Sequence, residues 1–145
     1  MHDYPYISAT DARNNFSETF NNTIYVKPQI IKKSKNDVLL IKQEEVFRIL
    51  DSMKISVVIS KDEDGTYFTS NEVMPDIIGW GKTKDEAIDD FITFLDVYAH
   101  DYYNNYETYS KTERGRKDLP YIFKVMCASS FDSLRGMLIC RDGKN

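Results

Sequence analysis

Residues 55–70 read ISVVISKDEDGTYFTS, and they decide how the larger part of this chain folds. Ile55–Ser60 is rich in β-branched side chains, which suit a pleated, half-buried strand. Lys61–Gly65 is an acidic turn. Its Asp64-Gly65 pair is a strong hairpin signal, because glycine accepts the backbone angles a tight turn needs. Thr66–Ser70 returns as the second strand. Val73–Pro75 then connects to a third expected strand, Ile77–Trp80. Next comes Thr83-Lys84-Asp85-Glu86, a capping box in which the threonine hydroxyl and the glutamate carboxylate each satisfy a free backbone N–H. The helix it opens places Ala87, Ile88, Phe91, Leu95, Tyr98 and Tyr102 on one face and ends near Asn104-Asn105. Asp85, Asp89, Asp90, Asp96 and His100 project elsewhere.

Beyond this helix the signals weaken. Tyr98, Tyr102, Tyr103, Tyr106 and Tyr109 form a tyrosine-rich stretch. Asp96, Asp101 and Glu107 beside it would repel phosphate, so core packing or a protein interface is expected rather than base stacking. Arg114–Lys117 reads as a short basic loop. Leu119–Met126 suits a strand or a buried helix, and Ser130–Leu138 suits a final helix.

Working outward the other way, Tyr6-Ile7 reads as a short strand. Ser8 is positioned to cap a helix, with Asp11 near the positive end of its dipole. Ala9, Ala12, Phe16 and Phe20 then form one apolar stripe, and Asn21-Asn22 is the expected helix end. Arg13, Asn14, Ser17 and Asn21 fall off the stripe. Gln29–Lys32 and Val38–Ile41 read as strands of a hairpin around the turn Ser34–Asp37. Glu44–Leu50 reads as a second helix, with Val46, Phe47, Ile49 and Leu50 for packing. Some 50 residues make a marginal core, so dimerisation is the expected remedy.

Composition narrows the class. The 145 residues are 41% hydrophobic and 29% charged, an ordinary globular balance. The longest aliphatic run, Val38–Ile41, is far too short for a membrane span. MHDYPYIS lacks the pattern of a secretory signal. Cys127 and Cys140 stand without CxxC spacing, and His2 and His100 are the only histidines. Neither a zinc site nor any cofactor is expected, and the expected setting is a reducing cytoplasm. The net charge is −4, which argues against non-specific coating of nucleic acid. It is unevenly placed: residues 1–54 carry eight Lys+Arg against seven Asp+Glu, and residues 55–145 carry eleven against sixteen. A near-neutral front and an acidic back suggest modules with different partners, placed at residues 1–53 and 54–145.

The front resembles a known family. Ile-Ser-Ala-x-Asp-Ala-Arg-x-Asn-Phe, an apolar strand ending in lysines, a turn, Val-Leu-Leu-Ile and an acidic-aromatic helix are similar to the Phd/YefM antitoxins over residues 6–51. That resemblance implies a homodimer that binds operator DNA and represses its own operon. Arg13 matches the family's helix-borne arginine that reaches into the operator. Lys32, Lys33 and Lys35 match the region of phosphate contacts, and Ser8, Thr10 and Asn14 complete the expected DNA-binding set. The chemistry agrees: a guanidinium fits the two acceptors of a guanine edge, worth ~1–3 kcal/mol of discrimination. The plainer alternative, a surface pair of Arg13 with Glu18 or Asp11, is worth only a few tenths of a kcal/mol.

The back resembles the HicB-like antitoxin domain, a reduced RNase H-like sheet crossed by one helix. Val57–Ile59, the Asp64-Gly65 hairpin, Met74-Pro75-Asp76, Gly79 and Thr83-x-Asp85-Glu86-Ala87 carry the match over residues 55–100. Together the resemblances imply an α+β chain: an antitoxin of a type II toxin–antitoxin system that binds a protein toxin and autorepresses. The expected toxin is a basic ribonuclease, complementary to the acidic back. Tyr67, Trp80, Tyr102 and Tyr106 are the candidate toxin contacts. Rival readings are a regulator with a ligand-sensing or protein-interaction back module, and an RNase H-like nuclease. The nuclease is disfavoured, because Asp62, Glu63 and Asp64 on one turn are expected to diverge rather than hold an ion pair.

Overall fold

A computed structural model describes residues 4–143. His2 lies outside them. The chain divides into two compact units: one ends at Val46 and the other begins at Phe47, ahead of the 53/54 boundary drawn from the sequence.

The first unit is a three-stranded sheet with helices on it. Its elements are β1 (Ile7–Ser8), α1 (Ala9–Asn14), α2 (Phe16–Tyr25), β2 (Gln29–Lys33) and β3 (Asn36–Leu40). The sheet order is β1-β2-β3. β1 runs parallel to β2, and β2 and β3 form the hairpin. The register pairs Lys33 with Asn36, so Ser34-Lys35 alone makes the turn, tighter than the Ser34–Asp37 turn expected. Ser34 has φ +57°, the left-handed angle that short hairpin turns demand.

One expected helix is in fact two. At Asn15 (φ −126°, ψ 43°) the backbone leaves the helix, and both its N–H and its side-chain amide donate to the Asp11 carbonyl. Asparagine competes for backbone partners in this way, so it breaks helices that periodicity would continue. The second piece runs past Asn21-Asn22 to Tyr25. Its buried positions are Thr19 and Thr23, with the Thr23 hydroxyl donating to the Thr19 carbonyl. The stripe of Ala12, Phe16 and Phe20 is therefore only partly internal. Ala12 is buried, while Phe16 and Phe20 are 60% and 44% exposed. α3 (Gln43–Ile49) follows and contains no fully buried residue.

The second unit has a mixed sheet of order β6-β5-β4-β7. Its strands are β4 (Ile55–Lys61), β5 (Tyr67–Ser70), β6 (Trp80–Gly81) and β7 (Leu138–Asp142). The β4–β5 hairpin forms as expected, with Gly65 at φ +90°. Ile77 and Ile78 are not strand; only Trp80-Gly81 pairs with β5. Thr69 explains this, since its hydroxyl and its N–H both engage Gly79 and hold the preceding turn off the ladder.

α4 (Lys84–Asn104) carries the Thr83–Glu86 capping box and buries Ala87, Ile88, Phe91, Leu95 and Tyr102 against β4 and its neighbours. α5 (Tyr106–Ser110), α6 (Glu113–Met126) and α7 (Phe131–Arg135) complete the helices. Arg114–Lys117 is not a loop. Thr112 caps α6 just before Glu113, and the four residues lie in its opening turns. The expected final helix at Ser130–Leu138 is only α7. Leu138 opens β7, which runs parallel to β4.

The core gathers Ile55, Val57, Phe91, Ile92, Leu95, Tyr102, Ile122 and Met137. Two polar links fasten it. Lys124, 1% exposed, donates to the carbonyls of Asp51 and Met53 and lies over the Phe47 ring. Arg135 of α7 bridges Asp85 and Asp89 on α4.

Candidate functional site

Ser8 does what its position suggests: its hydroxyl accepts from the Asp11 N–H at 3.0 Å and caps α1. Thr10, Arg13 and Asn14 stand exposed on that helix. Among the described residues the Arg13 guanidinium pairs with no carboxylate, so the surface pair with Glu18 or Asp11 does not form. On the hairpin, Lys33 and Lys35 are exposed. Lys32 differs. Its ammonium sits over the Tyr6 ring at 4.8 Å and 3.7 Å from Asp37. An exposed pair and a ring contact of this kind are weak.

Phe16 and Phe20 stack on each other at 5.7 Å, with Val38 and Leu39 of the hairpin also exposed. Among the described residues, the unit buries only Ala12 of its apolar side chains. That is little for an independent fold.

In the second unit, the four tyrosine and tryptophan candidates separate. Trp80 is half-exposed and packs on Phe68 at 5.1 Å. Tyr106 is exposed and meets Tyr102 and Phe123 edge-on. Tyr67 is partly buried against the core. Tyr102 is a correction: it is fully buried, and its hydroxyl donates to the Gly115 carbonyl at 2.8 Å. Helical spacing placed it on the core face, and a ring inside the core presents nothing to a partner. Burial pushes its phenol above the usual range, as does the nearby Tyr106. Tyr98 is pushed up as well, by burial and by its hydrogen bond to Asp118.

The acidic turn differs from the sequence reading. Asp62 and Asp64 converge rather than diverge, because both carboxylates accept from the Thr66 N–H. Each perturbs the other: the bond with Asp64 raises Asp62, and the same bond lowers Asp64. Both caps serve the turn. Among the described residues, no three His, Cys, Asp or Glu side chains are grouped to hold a metal ion. No described helix is long and apolar enough to cross a membrane.

These features meet known proteins at one point. The profile of the PHD-like family, described as antitoxin of toxin-antitoxin, RelE/RelB, TA system, matches residues 4–140. The chain belongs to this antitoxin family. One profile thus runs through both units. A crystal structure at 1.80 Å of the antitoxin part of a candidate toxin/antitoxin system from Syntrophomonas wolfei subsp. wolfei has the same fold. It is 26% identical, with a TM-score of 0.86 over 97% of this chain and 100% of that one. No curated protein sequence matches.

What the sequence missed was a matter of surroundings. Phe94 and Val97 of α4 are exposed apolar residues that the periodicity of its buried face does not single out.

Proposed function

We propose that this antitoxin works through two modules, a Phd/YefM-like front that dimerises and represses its own operon, and a HicB-like back that neutralises a protein toxin by direct binding. The observation that carries the first half is the exposed, unpaired Arg13 on the Ser8-capped helix, beside an apolar surface that a second copy would cover. Ser8, Thr10, Arg13, Asn14, Lys32, Lys33 and Lys35 form the DNA surface. Two copies of Arg13 across a dimer axis read two half-sites, and the hairpin lysines hold phosphates.

The second half rests on the family and on the acidity of residues 55–145. A basic toxin, the ribonuclease expected from the sequence, is electrostatically complementary to it. Trp80, Tyr106 and Tyr67 remain toxin-contact proposals, and Tyr102 leaves the set. Inhibition is steric and electrostatic, and the chain performs no catalysis.

The test is binding of the full chain to its own promoter by fluorescence anisotropy across a salt titration. The parent should lose affinity steeply with salt. Arg13→Ala should bind weaker by ~1–3 kcal/mol and discriminate bases less. An Arg13→Ala protein as tight and as selective as the parent would remove the DNA assignment.

A further inference from the structure

α4 has a second face that is open at its middle, between first turns that adjoin Trp80 and Lys82 and a last turn that meets Tyr109. Phe94 and Val97 lie three residues apart on it and are 50% and 58% exposed. Glu86, Asp90 and Asp101 fall on the same arc, since helical positions 86, 90, 94, 97 and 101 succeed one another at spacings of three and four. The arc from Glu86 to Asp101 is about 22 Å long at the rise of an α-helix.

The arc's charge is not neutralised. α4 carries six carboxylates and one lysine. Arg135 answers Asp85 and Asp89, and Lys84 pairs with Asp142. Among the described residues, no cation pairs with Glu86, Asp90 or Asp101. These three satisfy backbone and hydroxyl donors instead. Glu86 closes the capping box, Asp90 accepts from the Trp80 N–H, and Asp101 accepts from Asn105 and Tyr109. Their charges are therefore fixed in place by neutral partners. Two apolar side chains with carboxylates fore and aft form a centre-and-rim arrangement of the kind that protein interfaces use.

Resting on the antitoxin reading above, we infer that this arc of α4 is the toxin-docking surface. Its occupant is a basic surface of the cognate toxin that presents an apolar side chain between Lys or Arg residues. Phe94 and Val97 supply the desolvated anchor, and the three carboxylates steer the approach and fix register. A second copy of this chain is a poor occupant. The helix would meet an arc of its own sign, and like-charge juxtaposition costs affinity.

The test uses the full chain and the protein encoded by the neighbouring reading frame, co-purified and then measured by calorimetry. The parent should bind it, more weakly as salt rises. Phe94→Lys/Val97→Lys adds repulsion and keeps helix propensity, and should weaken binding by about a hundredfold or more, with Phe94→Glu/Val97→Glu losing about tenfold. Circular dichroism on both variants confirms an unchanged fold. If the parent does not bind, the antitoxin pairing fails and this inference with it. If the parent binds and both pairs of substitutions leave affinity intact, the surface is wrong while the pairing stands. Loss confined to Trp80→Ala, with both α4 double variants at parental affinity, would move the site off α4 and overturn the assignment. A variant whose oligomeric state drops in light scattering would assign the arc to self-association instead, which also overturns it.

Discussion

Tyr98 of α4 donates its hydroxyl proton to the buried carboxylate of Asp118 on α6, 2.8 Å away. This bond ties together the two longest helices of the second unit. Tyr98→Phe removes the donor and leaves a buried carboxylate oxygen unsatisfied. The expected cost is about 1–3 kcal/mol of unfolding free energy, read from urea denaturation. Replacing both ends, as Tyr98→Phe/Asp118→Leu, should cost less than the single change, because no unpaired polar group then remains. An equal or larger loss in the double variant would show that packing, and not the hydrogen bond, is what the pair contributes.

The same tyrosines set an alkaline limit. Tyr98, Tyr102 and Tyr109 all have phenols raised above 10: the first two chiefly by burial, the third by its hydrogen bond to Asp101. Above pH 10 the unfolded tyrosines release protons that the folded ones keep, so the unfolded state binds fewer protons and stability falls as pH rises. Their contribution is complete below pH 10 and is lost above it. Lys124 acts oppositely. Burial lowers its pKa from 10.5, so its contribution rises with pH up to that value. The Cys127 and Cys140 thiols, pushed above 9.0 by burial, and Lys84, raised by its pair with Asp142, act in the same direction as the tyrosines, so the balance is a net loss. Thermal scans from pH 8 to 11 should show melting temperature falling beyond pH 9 and more steeply beyond pH 10, with a shallower fall in Tyr98→Phe.

Gly115 is required by closeness. A Cβ there would overlap the Tyr109 carbonyl oxygen, while the Gly115 carbonyl receives the Tyr102 hydroxyl. Gly115→Ala forces the start of α6 away from Tyr102 and should cost roughly 1–3 kcal/mol despite alanine's better helix propensity. Melting temperature is the readout. A stabilised variant would mean the turn relaxes freely.

That glycine also shows where the sequence was legible. The Thr83–Glu86 box and the Asp64-Gly65 turn were readable because every group involved lies within a few residues. The basic run Arg114–Lys117, with Gly115 in it, read as a loop. The glycine answers to Tyr109, and the proline is carried inside α6. Strand β7 was hidden for a different reason. It is short, and its partner β4 lies far back along the chain, so no local pattern announces it. Asparagine shows both outcomes. Asn105 donates to the Asp101 carbonyl and ends α4 as expected, while Asn15 does the same to Asp11 and breaks a helix read as continuous. The DNA-binding candidates were legible as types and positions. That Arg13 is unpaired and Lys32 is engaged depended on neighbours that only the fold supplies.

Lys124 fastens the segment after α3. Its ammonium satisfies the carbonyls of Asp51 and Met53. Lys124→Met keeps the length and removes the donors, together with the cost of a buried charge. Those two effects oppose, so global stability should change by no more than about 1–3 kcal/mol. The local effect is expected to be larger: amide hydrogen exchange over residues 47–54 should quicken while the β4 core stays protected. Unchanged exchange there would mean the clasp is dispensable.

The exposed Phe16–Phe20 stack bears on the proposed dimer. Among the described residues its unit buries only Ala12 of its apolar side chains, and α2 presents the Phe16 and Phe20 rings outward. A second copy that covers them supplies the missing core and duplicates Arg13. Phe16→Glu/Phe20→Glu should yield a monomer in light scattering. Operator affinity should fall on the order of 10²-fold or more, since two half-site contacts no longer act as one. The alternative is that the stack only shields the α2 backbone. In that case the variant stays dimeric and binds DNA normally, and the dimer must be sought on Val38 and Leu39 of the hairpin.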